Sequence, residues 1–290
     1  MPIETIMDQS RVVSKETVAD SGFYWREEGG VKVLVCRALE DAGFANGFST
    51  RLGGVSSLED SKAGTELNLA GFNEDTRENI DENRRRFLAV FPRRYSLATA
   101  WQVHGDNIRF VSDNSRLGDA DERADALVSH LEGVLLGVKT ADCVPILIGD
   151  PASGAFAAVH AGWRGTVQGI ARKAVAKLAE TFDSKPEDLI CAIGPAAGCD
   201  QYEVGEDVIG AFKQNFSESG EYFHETRPGH ALVDLKAANR DQLIATGVDS
   251  KNIHISPLCT MERVDLFFSY RIEKAKFGRT GRSMSVVGRL

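Results

Sequence analysis

Two short apolar runs, 143–148 and 155–160, flank Gly149-Asp150-Pro151-Ala152-Ser153-Gly154, and this stretch limits the fold more than any other. Gly, Asp, Pro and Ser are the residues a tight reversal uses, so the segment predicts a β-hairpin. With Pro151 and Ala152 at the centre of the turn, Ile148 opposes Ala155 and Cys143 lies directly across from His160. Directly opposed residues have Cβ atoms about 5 Å apart. A thiolate and an imidazole that close can share a metal ion or act as nucleophile and base. Alternation agrees with the pairing. Val144, Ile146 and Ile148 share one face with Ala155, Ala157 and Val159, while Cys143 and His160 share the other.

Around the hairpin, strand and helix patterns interleave. Phe23–Trp25, Val31–Val35, Leu189–Ile193, Ile253–Ile255, Phe267–Arg271 and Ser283–Val287 read as strands. Trp101–Val111 reads as a strand, a Gly-Asp turn and a second strand. Helical spacing recurs over 75–91, ending at Pro92, from Thr166 through Leu178, from Val208 to Phe216, and over 234–244. A mixed-sheet α/β fold follows. Residues 1–20 are polar and weakly patterned and predict a loosely held arm, with residues 21–290 forming a single domain.

Composition excludes several classes. The net charge of −8 and the absence of a long basic run argue against a nucleic-acid binder. No apolar stretch approaches the roughly 18 residues needed to span a bilayer, and no leader pattern opens the chain, so a cytoplasmic protein with no membrane partner is expected. The five cysteines are scattered and never form Cys-x-x-Cys, which fits neither a disulfide framework nor a structural zinc knuckle.

Six histidines are present, and four of them, His130, His224, His230 and His254, have no neighbour that suggests chemistry. His104 and His160 each end a short apolar run before Gly or Ala-Gly, where a strand delivers a side chain to the rim of a sheet. With Cys143 they make a Cys-His-His set. Three such donors leave the fourth tetrahedral position open, the mark of a catalytic rather than a closed zinc site. Blue copper also uses two His and one Cys, but a multicopper oxidase needs many more histidines, and His-x-His is absent here.

Cations for an anionic ligand are also present. Arg51 lies in the glycine-rich stretch 43–56, which reads as a loop able to bring backbone N–H groups to an anion. Arg84 shares the inward stripe of its helix with Ile80 and Leu88, and Arg164 stands where a helix begins a few residues after His160.

Seven segments carry a resemblance. They are Phe48-Ser49-Thr50-Arg51-Leu52-Gly53-Gly54, Trp101-Gln102-Val103-His104, Thr140-Ala141-Asp142-Cys143-Val144-Pro145, Val159-His160-Ala161-Gly162-Trp163-Arg164-Gly165, Ile193-Gly194-Pro195, Tyr202-Glu203-Val204-Gly205 and Phe267-Phe268-Ser269-Tyr270-Arg271. In this order they resemble the polyphenol oxidase or multicopper laccase-domain family. That family is also described as purine nucleoside phosphorylases of the laccase-domain type and, for some bacterial members, as peptidoglycan editing factors. The likeness runs from about residue 43 to the C-terminus.

The resemblance implies a single four-layer α-β-β-α domain and a zinc site on His104, Cys143 and His160. It also implies phosphorolysis of adenosine, inosine, guanosine or methylthioadenosine, with adenosine deamination as a second activity. Copper belongs to the family's older description and is disfavoured by the histidine count. The partners expected are purine nucleosides and phosphate, while the oligomeric state stays open. For phosphate, Arg51, Arg84 and Arg164 are the candidates, and Asp142, beside Cys143, is the candidate acid or base. The family often has Gly-Pro-Cys before Tyr-Glu-Val; this chain has Gly198-Cys199-Asp200-Gln201, so Cys199 receives no role. A different class keeps the hairpin without a metal, with Cys143 as a nucleophile activated by His160 in a thiol hydrolase or amidase, which would also fit peptidoglycan precursor editing.

Overall fold

The computed structural model describes residues 15–57, 64–70, 75–114 and 117–290. Of the expected N-terminal arm, residues 1–14 lie outside the described residues; Lys15–Asp20 form a short helix, and Val18 is buried in the core.

Two mixed sheets stack face to face. Edge to edge, the larger runs Phe23–Glu28, Val31–Cys36, Phe44–Ser49, Ser283–Arg289, Val134–Thr140, Ser96–Trp101 and Gly118–Arg123. The smaller runs Ile253–Ile255, Ile190–Ile193, Val144–Gly149, Phe156–Ala161, Ala126–Ser129 and Ile108–Phe110. Phe23, Leu34, Phe44, Phe48, Leu136, Leu147 and Phe156 fill the space between them. Because both faces of each sheet are covered, the central strands are buried residue after residue and lose the polar half of the usual alternation.

Helices complete the outer layers. Arg77–Leu88 lays Ile80, Asn83 and Phe87 on the larger sheet, and its N-cap Thr76 accepts the Asn79 N–H through its side chain. Ile170–Phe182, Leu235–Ala245 and Glu206–Asn215 cover the smaller sheet through Ile170, Val175, Leu178, Leu235 and Phe212. The result is four layers, α-β-β-α, as the resemblance implies. A small antiparallel sheet of Glu203–Val204, His230–Val233 and Phe223–Arg227 stands beside them. Among the described residues no helix is long and apolar enough to cross a membrane.

Four local expectations are corrected. The hairpin register is shifted by two residues: Pro145 faces His160, and Ile148 faces Ala157. The Asp150 carboxylate accepts the Ala152 N–H and the Ser153 hydroxyl, and its N–H donates to the Ala155 carbonyl, so residues 151–154 form a four-residue loop with Gly154 at φ +72°. A shift of two preserves the faces, so Cys143 and His160 stay on the same side as diagonal rather than direct neighbours.

Second, much of the glycine-rich stretch 43–56 is strand, over Phe44–Ser49 and Leu52–Ser56. A Cβ on Gly47 would come within 2.5 Å of Val33 Cγ1, so this glycine serves close packing rather than a turn. Third, the strands on either side of Gly105-Asp106 belong to different sheets, which makes residues 102–107 a crossing between layers. Fourth, the segment read as a strand at 267–271 gives way to the helix Tyr270–Phe277, because Ser269 caps it by accepting the Ile272 N–H.

Candidate metal centre

Three of the crossings between the sheets build the site, one of them residues 141–143, which lead from Val134–Thr140 in the larger sheet to Val144–Gly149 in the smaller. Residues 102–107 carry His104 from the larger sheet to the smaller, and Ala124-Asp125 make the later crossing from Gly118–Arg123 to Ala126–Ser129. Asp125 is fully buried. Its carboxylate accepts the backbone N–H groups of Val103 at 3.1 Å, His104 at 2.9 Å and Gly105 at 2.8 Å. This clamp holds His104 at φ +58°, in the left-handed region a histidine seldom enters, and turns its ring back toward the hairpin.

The same carboxylate fixes the second histidine. Asp125 Oδ1 is 2.8 Å from His160 Nδ1, and the His160 N–H donates to the Asp125 carbonyl at 2.7 Å. With Nδ1 bound to a carboxylate, Nε2 is the His160 nitrogen left for the site. Cys143 closes the set from the bend before Val144–Gly149, with Sγ 3.8 Å from His104 Nε2. The two rings meet edge to face, their centroids 4.9 Å apart.

One donor atom from each of His104, Cys143 and His160 lies within 4.8 Å of the others. Donors on a tetrahedral zinc ion sit about 3.4–3.8 Å apart, from bonds of about 2.0–2.3 Å, so the set needs only a small contraction to hold one. The soft thiolate and two imidazoles suit zinc, and three donors leave a position open. Gly162 provides the space. A Cβ there would lie 3.0 Å from His104 Cδ2 and 3.2 Å from Cys143 Sγ. Among the described residues this is the one group of three or more His, Cys, Asp or Glu side chains able to hold an ion.

Electrostatics prepares the donors. Burial pushes the Cys143 thiol up, but His160 and then His104 outweigh it and bring the thiol down to about 6. Burial alone would lower His160, yet Cys143 and Asp125 raise it to about 9. Asp125 moves below the usual carboxylate range, since His160 and the loop N–H groups overcome its burial. His160 is buried, Cys143 is half-buried and His104 is exposed, so the open side of the site faces solvent past His104.

The other candidate residues take different positions. Asp142 is buried, and its carboxylate accepts Thr260 Oγ1 at 2.7 Å, Ser269 Oγ at 3.0 Å and the Arg271 N–H at 2.8 Å. Burial raises its pKa against these donors. Arg51 is bracketed by Glu66 and Glu273 and donates to the Val264 carbonyl, with Phe268 beneath its guanidinium. Arg84 donates to the Ala70 carbonyl at 3.2 Å. Arg164 is exposed and lies 4.1 Å from the centroid of the Trp163 ring, just beyond Gly162. The helix that begins there, Trp163–Val167, is one short turn before Gly169, at φ +76°, breaks it from Ile170–Phe182.

Sequence reasoning missed Asp125 and Gly162. Asp125 leaves only a faint signal, an acid just before the buried run 126–128. Gly162 lay within a motif already noted, but its need shows only once the register sets it beside Cys143.

The fold and site define a four-layer α-β-β-α protein with an open His-Cys-His centre. Residues 45–289 match the family described as multi-copper polyphenol oxidoreductase laccase, and the chain belongs to that family. It is similar to purine nucleoside phosphorylase YlmD of Geobacillus stearothermophilus, with 37% identity over 265 residues, 88% of this chain and 94% of the relative. It is also 38% identical over 186 residues to adenosine deaminase RL5 of an unknown prokaryotic organism, covering 62% of this chain and 71% of that one. The crystal structure of YlmD from Geobacillus stearothermophilus superposes with a TM-score of 0.80 at 36% identity, covering 91% of this chain and 98% of that one.

Proposed function

We propose that this protein is a zinc-dependent purine nucleoside phosphorylase, acting on adenosine, inosine, guanosine and methylthioadenosine, that also deaminates adenosine. The observation that carries this reading is the convergence of His104, Cys143 and His160 within 4.8 Å with an open, solvent-facing side. The names of the relatives support it. A zinc ion held by these three residues would supply a Lewis acid and lower the pKa of bound water. The donor set gives no basis for a trinuclear copper centre, which needs many more histidines than gather here.

In phosphorolysis a phosphate oxygen bonds to C1′ as the C1′–N9 bond breaks; the electron pair passes to the purine, which takes up a proton. The chain's part is to gather charge and exclude disorder. Arg164, held over Trp163 and two residues beyond Gly162, is the exposed positive charge proposed for the phosphate. Arg51, whose charge two carboxylates already balance, serves as an anchor for the 264–273 segment, and Arg84 supports the layer beyond it. Asp142 enters as a positioning group, its carboxylate engaged by three donors.

The test is to incubate the metal-quantified protein with adenosine, with and without phosphate. Phosphate-dependent adenine reports phosphorolysis, and inosine reports deamination. Zinc-loaded protein that forms neither overturns the reading. A second reading, a Cys143–His160 thiol hydrolase, is favoured by the lowered thiol pKa beside a raised imidazole. Metal-free protein that keeps its activity until Cys143 is alkylated would select it.

A further inference from the structure

Asp142 joins the metal centre to a segment far along the chain. At φ +81° it occupies a backbone region that resists most side chains, and four contacts hold it there. Its carbonyl accepts the Ala197 N–H at 2.9 Å, Oδ1 accepts Thr260, and Oδ2 accepts Ser269 and the backbone N–H of Arg271. Arg271 is thereby pinned to the immediate neighbour of the ligand Cys143.

The Arg271 side chain is held in turn. Its guanidinium lies 4.9 Å from the centroid of the Tyr202 ring, and Nη1 donates to the Glu203 carbonyl at 2.9 Å. Tyr202 reaches the same place from the other side, because the chain turns back after Ala197 through a Tyr202 N–H to Gly198 carbonyl bond of 3.0 Å. Arg51 has two carboxylate partners, whereas among the described residues no carboxylate makes an ion pair with exposed Arg271. A planar guanidinium placed over an aromatic ring, with N–H groups to spare, matches the oxygens of a tetrahedral anion.

We propose that Arg271 is the phosphate-binding arm of this site, seated on Tyr202 and positioned by Asp142. The inference rests on the phosphorylase reading and assigns that reading's second substrate to a residue outside the metal set. Arg271 binds the attacking phosphate, while Asp142 acts through Arg271 and through its bond to Cys143.

The experiment measures KM for phosphate and for adenosine in wild type, Arg271→Met, Arg271→Lys and Asp142→Asn, with zinc per chain determined for each. Arg271→Met should raise the phosphate KM by about tenfold or more, as expected for loss of a charged hydrogen bond, and leave zinc per chain unchanged. The adenosine KM should move by much less. Arg271→Lys keeps the charge without the fork and should fall between. Asp142→Asn should raise the phosphate KM relative to the adenosine KM, a split that general loosening of the fold does not produce. Equal phosphate KM in wild type and both Arg271 variants overturns the inference and leaves the phosphorylase reading standing. A zinc-loaded wild type that makes no adenine overturns both, and wild type alone reveals it.

Discussion

Asp125 Oδ1 lies 2.8 Å from Nδ1 of His160 while the same carboxylate accepts the N–H groups of residues 103–105, so one buried side chain orients both imidazoles of the site. His160 belongs to a strand of the smaller sheet, and His104 follows a strand of the larger. The centre is therefore set by the meeting of two sheets, and Asp125 is where their positions are reconciled.

Replacing Asp125 by Asn keeps the volume but offers His160 an amide in place of a charged acceptor. Zinc affinity should fall by about 10–100-fold, the usual effect of losing such a partner to a metal-bound histidine. Competition against a chromophoric chelator measures it. Unchanged affinity would show that the imidazoles keep their orientation without the carboxylate.

In metal-free protein Cys143 should be alkylated with an apparent pKa of about 6, well below the ordinary thiol near 8.5, because the cationic His160 favours the thiolate. The sign is a rate that rises with pH through about 6 and is already level by neutrality. Cys199, the exposed cysteine, has its thiol pushed up by burial, Asp234 and Asp200 and should lag. Peptide mapping after timed alkylation separates the two, and zinc should protect Cys143. A Cys143 rate that still climbs above pH 8 would contradict the pairing with His160.

The same His160 shift bears on stability without metal. Its imidazolium is favoured in the fold, up to about 9, so its contribution is complete below the ordinary histidine value near 6.5 and is lost as pH rises through about 9. Cys143, whose thiol is drawn down to about 6, gives the opposite slope over nearly the same range, so the pair as a whole should leave thermal melts of the metal-free protein nearly level between about 6.5 and 9. Melts that fall steeply across that window would show His160 holding its proton without a Cys143 thiolate beside it.

Much of this was legible in the chain. The alternation in 144–148 and 155–159 gave the faces of the hairpin, because a buried strand keeps its period even when its turn is misread. The register was not legible: whether Asp150 pairs or folds over its own loop depends on side-chain hydrogen bonds that apolar patterning does not encode. Residues 101–111 were read as a local hairpin because nothing in the spacing tells a turn within one sheet from a crossing between two. The Cys-His-His set was visible as residue types. Its organiser, Asp125, was not, since a buried acid looks like any other acid until the donors around it are known.

Gly162 offers the sharpest test of the space at the centre. Its φ of −67° suits alanine, so Gly162→Ala strains no backbone, yet the new Cβ would stand 3.0 Å from His104 Cδ2 and 3.2 Å from Cys143 Sγ. Both groups must yield by a few tenths of an ångström, and both belong to the His-Cys-His set that could hold a metal. A site that tolerates only about 0.5 Å of misplacement should bind zinc more weakly, while the melting temperature of the metal-free protein stays within a few degrees of wild type. Gly194→Ala makes the contrast: its Cβ would lie 2.2 Å from Phe48 Cδ1 and 2.9 Å from Pro145 Cγ, within the core between the sheets. That overpacking should cost about 1–3 kcal/mol in denaturant unfolding. If Gly162→Ala instead destabilised the metal-free fold as much as Gly194→Ala, the glycine would be serving the packing of the crossing rather than the room for an ion.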